Sequence, residues 1–266
     1  MSTKHAATKH AATKHAGIKP LTIKQLVNYC NDYLQIDQFS DYCPNGLQLQ
    51  GKNQIRKIVT GVSATQALID AAVINKADAL LVHHGFFWKG ENPVLTGMKY
   101  RRIKALMKHN INLLAYHLPL DAHRQVGNNV QLANALNIKK LHRFGNQQIS
   151  VIGSIKSISG KNLAQKLDKL LHRNPLHIDC NREIKKLAIC TGAAQSYIQD
   201  AVEQGADAFI SGEISENTVH IARENNIHYF AAGHHATERF GVQALGQHLT
   251  EKFAIASEFI DIDNPV

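Results

Sequence analysis

The chain has 266 residues, 44% of them hydrophobic and 19% charged, which is typical of a globular protein with one large or two medium domains. No apolar run approaches the roughly 18 residues that a membrane-spanning helix needs, so membrane proteins are excluded and a cytoplasmic location is expected. The formal charge of +9 allows nucleic acid or another polyanion as a partner, although lysines among the first twenty residues supply part of it and leave +5 for the remainder.

The four cysteines are scattered along the chain, and no pair has the spacing of a zinc-binding CxxC motif. A chain of this length can stabilise itself by burial without disulfides, so reduced thiols are expected. Any metal site is therefore expected to use histidine and carboxylate ligands.

The N-terminus is a repeat of five residues, MSTKHAATKHAATKHA, which places histidines at equal intervals. A period of five matches neither a helix nor a strand. Residues 1–19 are therefore predicted to form a flexible tail or a tag-like extension, with metal chelation by the repeat as an alternative.

A βαβ pattern occurs twice in the remaining chain. Residues 57–62, 64–75 and 77–82 predict a strand, an amphipathic helix and a second strand, and the same order returns over residues 186–213. Thr-Gly lies within the first strand of one copy, at residues 60–61, and at the end of the first strand of the other, at residues 191–192. In both copies Ala-Asp-Ala precedes the second strand. The recurrence predicts an internal duplication.

The other elements continue this alternation of helices and strands. Helices are predicted at 22–34, 99–110, 128–136, 162–172 and 236–249, and strands at 111–116, 147–158, 228–232 and 255–263. The expected fold class is α/β, with two related, intertwined α/β lobes and largely parallel sheets. The expected lobes span residues 20–127 and 128–266, and the C-terminal part of the second returns to the site described next.

Polar side chains follow four of the predicted strands, where the loops of a parallel α/β sheet converge on a ligand. They are His83, His84, His117, Asp121, Glu213, His234 and Glu238. His234 and Glu238 have the i, i+4 spacing that brings two side chains together on one helix face. Imidazole and carboxylate ligands suit zinc, manganese or iron.

The paired histidines favour two metal ions rather than one. In an extended strand His83 and His84 point in different directions, so each is expected to serve its own ion, with Asp121 and Glu238 bridging the ions or completing their shells. Two such ions can hold a water between them and make it a nucleophile near neutral pH.

Several motifs resemble the GTP cyclohydrolase I type 2 family, also called Nif-three-like, in its short bacterial form. They cover residues 20–266 in order and read SDYCPNGLQ, TGVSATQALID, ADALLVHHGFFWKG, HLPLDAH, GNN, TGAAQS, ADAFISGE and GHHATER. The resemblance implies a dinuclear metal site with His83, His84, Asp121, His234 and Glu238 as ligands. It also implies intertwined α/β lobes and a ring-shaped homohexamer.

Other residues are candidates for supporting roles. A residue near the predicted ligands could orient a ligand or pass a proton, or it could have only a structural role. The first candidates are His117 and Glu213, and less direct ones are His123 and His235. The run 86–88, Phe-Phe-Trp, is either a stacking platform for a base or the cover of a hydrophobic pocket. Five basic side chains could either bind phosphate groups or simply be solvated: Lys89, Lys99, Arg101, Arg102 and Lys104.

These observations lead to one main hypothesis and two alternatives. The main hypothesis is a dinuclear-metal-dependent hydrolase that uses a metal-activated water on a small, nucleotide-like substrate, which could be phosphorylated. The first alternative is a metal-stabilised ring that binds nucleic acid or proteins. The second is a metal-trafficking protein whose ions are its cargo.

Overall fold

The computed structural model describes residues 21–266, so the N-terminal repeat lies outside the described residues. Ten α-helices lie in this part of the chain: α1 Ile23–Leu34, α2 Gln66–Ile74, α3 Gly97–Lys108, α4 Leu118–Ala122, α5 Asn128–Ala135, α6 Gly160–Leu171, α7 Ile198–Glu203, α8 Glu216–Glu224, α9 His234–Thr237 and α10 Arg239–Phe253. None of these helices is long and apolar enough to cross a membrane.

The same residues form thirteen strands in three sheets. The strands are β1 Leu21–Thr22, β2 Gly46–Leu49, β3 Gln54–Ile55, β4 Lys57–Ser63, β5 Ala79–His84, β6 Asn112–Ala115, β7 Lys139–Phe144, β8 Ser150–Ser159, β9 Leu176–Ile178, β10 Glu183–Cys190, β11 Ala208–Ser211, β12 His228–Ala231 and β13 Ala256–Phe259. A small antiparallel pair, β1 with β3, accompanies the two main sheets.

Each main sheet has a parallel centre and at least one antiparallel edge. The first has the order β13-β4-β5-β6-β2, in which only β2 is antiparallel to its neighbour. The second has the order β7-β8-β10-β11-β12-β9, and β10, β11 and β12 are parallel. The α/β class is confirmed, although antiparallel pairing on both sides makes the second sheet mixed rather than largely parallel.

Helices cover both faces of each sheet. In the first sheet α1 and α10 bury one face, and α2 and α3 bury the other. In the second, α5 and α6 pack on one face and α7 and α8 on the other. Because α10 and β13 come from the C-terminus yet belong to the first sheet, the chain passes into the second sheet and then returns.

The two Ala-Asp-Ala motifs have the same structural role. Asp78 accepts hydrogen bonds from the backbone N–H groups of Arg56 and Lys57, at 2.9 and 3.1 Å. In the second sheet Asp207 accepts them from the N–H groups of Lys185 and Lys186, at 2.9 and 2.8 Å. Each aspartate directly precedes one strand and binds the amino-terminal half of its parallel neighbour, as expected for duplicated βαβ units.

Replacing Asp78 with asparagine should destabilise the fold by about 1–3 kcal/mol, because the carboxylate satisfies several donors at once. Burial disfavours ionisation, but Lys52 and the two backbone N–H groups outweigh it and lower the pKa of Asp78. Its contribution is therefore complete above the unfolded-state pKa and is lost as the pH falls through the lower folded-state pKa. Denaturant unfolding at pH 7 and pH 3 measures both effects.

The matched control is Asp70→Asn, since Asp70 lies exposed on α2 and, within residues 21–266, its carboxylate accepts a hydrogen bond from Gln66 alone. Equal stability of the two variants at pH 7 would show that the Asp78 carboxylate does not hold the strands together.

Candidate metal centre

The five predicted ligands lie together between the carboxyl ends of the two sheets. His83 and His84 end β5, and Asp121 lies in α4, which follows β6. His234 and Glu238 follow β12 in the other sheet. The predicted helix over 236–249 is interrupted at Glu238, which lies between α9 and α10, yet the i, i+4 contact forms.

Glu238 is the centre of this cluster, with only 2% of its surface exposed. Its Oε1 lies 3.4 Å from His83 Nε2 and 3.2 Å from His234 Nε2. Its Oε2 lies 3.2 Å from His84 Nε2, and Asp121 Oδ2 lies 3.6 Å from His83 Nε2. One carboxylate thus faces two groups of potential ligands, one with His83 and Asp121 and the other with His84 and His234.

In their neutral forms, two of these histidines direct their single ring N–H away from Glu238. His83 Nδ1 lies 2.9 Å from the Tyr116 carbonyl oxygen, and His234 Nδ1 lies 2.7 Å from Glu213 Oε1. In the neutral rings each Nδ1–H donates outwards, so the Nε2 lone pair faces the carboxylate.

Two polar atoms of the cluster are buried without a hydrogen-bond partner among residues 21–266: His83 Nε2 and Glu238 Oε2. Their neighbours are close but outside hydrogen-bond geometry. Ligands about 2.0 Å from one tetrahedral ion lie about 3.3 Å apart, close to the observed spacing. Convergent acceptors at this distance fit a cation, so the residues present suit the expected metals.

The predicted divergence of His83 and His84 is wrong. Their ring centroids are only 4.6 Å apart, and both Nε2 atoms face Glu238. Extended geometry predicted opposite directions, but both residues lie at the end of β5, where Ser63 hydrogen-bonds His84 Nδ1 at 3.0 Å and turns its ring towards the cluster. The two rings still meet different oxygens of Glu238.

The nearby carboxylates raise the pKa of two histidines of the cluster. Burial disfavours a charged His83, but the Asp121 and Glu238 carboxylates outweigh it and raise its pKa to about 9. Burial also disfavours a charged His234, but Glu238 and Glu213 outweigh this effect and raise its pKa to about 9. Burial lowers the pKa of His84 to about 3. A bound cation would displace these protons.

Neighbouring side chains fix the remaining ligand. Asn128 donates to Asp121 Oδ1 at 2.8 Å, and the Thr191 hydroxyl donates to the same oxygen at 3.3 Å. Burial raises the pKa of Asp121. Since both donors hold Oδ1, Oδ2 is directed towards His83.

Both helper residues contact the cluster. Glu213 accepts from His234, as described above, and His117 lies with its ring centroid 5.0 Å from that of His83. Asp41 Oδ1 lies 2.7 Å from His117 Nδ1, and Asn45 Oδ1 accepts from the His117 backbone N–H at 2.7 Å. Asp41 was not among the site residues predicted from the sequence.

Two further histidines face elsewhere. His123 packs against Tyr33, with ring centroids 4.4 Å apart, and accepts backbone N–H groups of its own loop. His235 Nε2 contacts Asp261 Oδ1 at 2.7 Å. Neither belongs to the groups of side chains around Glu238.

A cavity of about 580 Å³ opens on the cluster and includes the rings of His84 and His117 in its wall. Trp88 also lines this cavity, and its ring centroid lies 5.1 Å from that of His117. The other two residues of the aromatic run differ: Phe86 is 5% exposed and belongs to the core, and Phe87 contacts the Lys99 ammonium. The residues lining this cavity include none of the basic side chains suggested for phosphate contacts.

Comparisons with known proteins decide the family. The profile of the Duf34/NIF3 (NGG1p interacting factor 3) family matches residues 21–265. The chain belongs to the NIF3 family. The predicted family membership is thereby confirmed.

Among relatives in the NIF3 family, the GTP cyclohydrolase 1 type 2 homolog of Haemophilus influenzae is 52% identical over 246 residues, covering 91% of this chain and 98% of the relative. The solved structure of protein ybgI, of unknown function, is 46% identical with a TM-score of 0.87, covering 92% of this chain and 100% of that one. A Thermus thermophilus structure is 32% identical with the same TM-score and coverage.

In this NIF3-family protein, Glu213→Gln should weaken divalent metal binding by about 10–100-fold, because the carboxylate orients His234 and raises its basicity as a ligand. Isothermal titration with zinc of the protein lacking residues 1–19 provides the measurement. Glu224→Gln, an exposed change on α8, is the matched control. Unchanged affinity in the Glu213 variant would show that it does not orient a ligand.

Proposed function

We propose that this NIF3-family protein is a dinuclear-metal-dependent hydrolase that acts on a small, nucleotide-like substrate. The proposal is carried by one observation: the buried Glu238 carboxylate belongs to two separate sets of potential ligands, one with His83 and Asp121 and the other with His84 and His234. A single structural ion would need only one such set, and structural zinc sites are usually closed by four protein ligands.

Two sets of side chains would hold the ions. His83 and Asp121 would bind one, His84 and His234 the other, and Glu238 would bridge them. Zinc, manganese or iron would suit the mixture of imidazole and carboxylate. When bound, two such cations supply positive charge to polarise the substrate and a nucleophilic water near neutral pH.

His117 is the residue best placed to move a proton at this site. Asp41 holds its Nδ1, which leaves Nε2 to accept or donate a proton in the cavity. Burial disfavours ionisation of Asp41, but the His117 ring outweighs it and lowers the pKa of that carboxyl. This arrangement resembles the orientation of a general base by a carboxylate.

The cavity favours a small substrate. Its volume of about 580 Å³ lies within the usual range of small-molecule sites. Tyr42, Trp88 and Tyr197 contribute aromatic rings to its wall, and aromatic rings stack on planar heterocycles such as bases. Asn146 and Gln147 contribute amide groups that can hydrogen-bond a heterocycle.

The hydrolase proposal is tested with protein reconstituted with zinc, manganese or iron and screened against nucleotides, phosphoesters and amides. We expect hydrolysis of at least one class, abolished by a chelator and restored by the metal. Absence of turnover across the panel with both ions bound would contradict the proposal and favour a metal-stabilised scaffold.

Assembly into a ring-shaped homohexamer is proposed from the family resemblance. Light scattering should give a mass near six times that of the 29.5 kDa chain. A monomer at micromolar concentration would refute this prediction.

A further inference from the structure

A second cluster of potential ligands lies at the other end of β12. His228 begins this strand, whereas His234 and Glu238 follow its carboxyl end. His177 lies in the edge strand β9, which pairs antiparallel with β12, and Asp179 follows β9 directly. Pairing of these two strands therefore brings His177, Asp179 and His228 together.

The buried member of this cluster is held in one orientation. His228 is fully buried, and its Nε2 lies 2.8 Å from the Arg182 carbonyl oxygen, which can only accept a hydrogen bond. Nε2 therefore carries the hydrogen, and in the neutral ring Nδ1 presents a lone pair. A backbone carbonyl that fixes one nitrogen and leaves the other free is the usual arrangement behind a metal-binding histidine.

The other two ligand atoms surround this lone pair. His177 Nε2 lies 3.1 Å from His228 Nδ1, and Asp179 Oδ1 lies 3.2 Å from it. These distances are close to the roughly 3.3 Å between two ligands of one tetrahedral zinc ion. The carboxylate and the imidazole lone pair are both acceptors, so a cation between them would remove their repulsion.

The packing around the rings supports a fixed site. The His177 ring stacks on Phe230 with a centroid distance of 4.2 Å and an angle of 7°. A Cβ atom at position 160 would lie 2.6 Å from His177 Cε1 and 2.7 Å from His228 Cε1, so Gly160 lets the two rings approach. Asp179 is exposed, which gives a cation a path from solvent.

We propose that His177 Nε2, Asp179 Oδ1 and His228 Nδ1 bind a zinc-class divalent cation at the amino end of β12, with solvent completing its coordination. Two imidazoles and one carboxylate form a ligand set suited to zinc, nickel or copper. The Arg182 side chain does not oppose the cation at close range, because it pairs with Asp207 and donates to the Asn226 carbonyl.

The test measures zinc bound per full-length chain by competition with a chromophoric chelator. His177→Asn should bind one zinc fewer than the unchanged protein, and Asp179→Asn should bind that zinc at least tenfold more weakly. Asp179 Oδ1 accepts a hydrogen bond from the Asn181 backbone N–H at 3.1 Å. The side-chain oxygen of an asparagine can accept the same bond, so the loop should keep its conformation. Comparing variants cancels any zinc bound by the N-terminal repeat or the candidate metal centre.

His220→Asn is the matched control, because His220 is an exposed histidine on α8 outside the cluster. It should bind as much zinc as the unchanged protein. The proposal is overturned if His177→Asn retains all of its zinc, which would leave only a hydrogen-bonded histidine pair. It is also overturned if His220→Asn loses zinc equally, which would indicate unspecific binding by surface histidines.

Discussion

Glu238→Gln is expected to abolish binding of at least one of the two proposed ions and to slow hydrolysis by more than about 100-fold. Replacing a residue that only supports a metal ligand already costs about 10–100-fold in metal affinity or activity, and loss of a ligand should cost more. Glutamine keeps the size of the side chain but replaces one carboxylate oxygen with an amide nitrogen that cannot bind a cation. Turnover of the substrate identified in the screen, together with metal content, measures the effect.

Glu251→Gln is the control, because Glu251 is exposed near the end of the same helix, α10. Circular dichroism should show an intact fold in both variants. If the ions only stabilise the assembly, Glu238→Gln should instead lower thermal stability or break the oligomer. Full activity with both ions bound would show that Glu238 does not bridge them.

Gly192→Ala should also remove metal binding, although Gly192 is not a ligand. Its φ is +72°, and an added Cβ would lie 2.2 Å from Glu238 Oε1 and 3.3 Å from His234 Nε2. Glu238 is buried and cannot move into solvent, so the methyl group must displace the carboxylate from the histidines. We expect loss of metal binding in zinc titration, in addition to about 1–2 kcal/mol of backbone strain seen in denaturant unfolding.

Gly205→Ala separates these two effects. Gly205 has a φ of +69°, nearly the same as Gly192, but the one described atom within 4 Å of its added Cβ would be Lys186 Nζ, at 3.8 Å. This variant should lose a similar amount of stability to strain and keep its metal. If Gly192→Ala binds metal as tightly as Gly205→Ala does, the close contact with Glu238 has no functional consequence.

The sequence predicted the parallel centres of both sheets because their strands are short apolar runs that alternate with helices. The repeated Ala-Asp-Ala and Thr-Gly motifs located the duplication, and the hydrogen bonds of Asp78 and Asp207 now explain the aspartates. The polar residues after four strands were enough to predict where the cluster lies. The other four predicted ligands surround the Glu238 carboxylate only because the second sheet faces the first.

The edges of the second sheet were not predicted. Strand β7 is largely polar and exposed, and β9 has only three residues, so neither shows the pattern of a buried strand. Helix α8 was also missed. Asp41 could not be identified as a site residue because its partner, His117, is 76 residues away in sequence. No local sequence pattern predicts such a contact.

Two cations are proposed to lie between the sheets, on either side of the Glu238 carboxylate. The most direct measurement is an anomalous difference map, at the zinc absorption edge, from crystals grown with saturating zinc. We expect two peaks in this cluster, one beside His83 and Asp121 and one beside His84 and His234. A single peak shared by all four of these side chains, or none, would contradict the two-cation proposal.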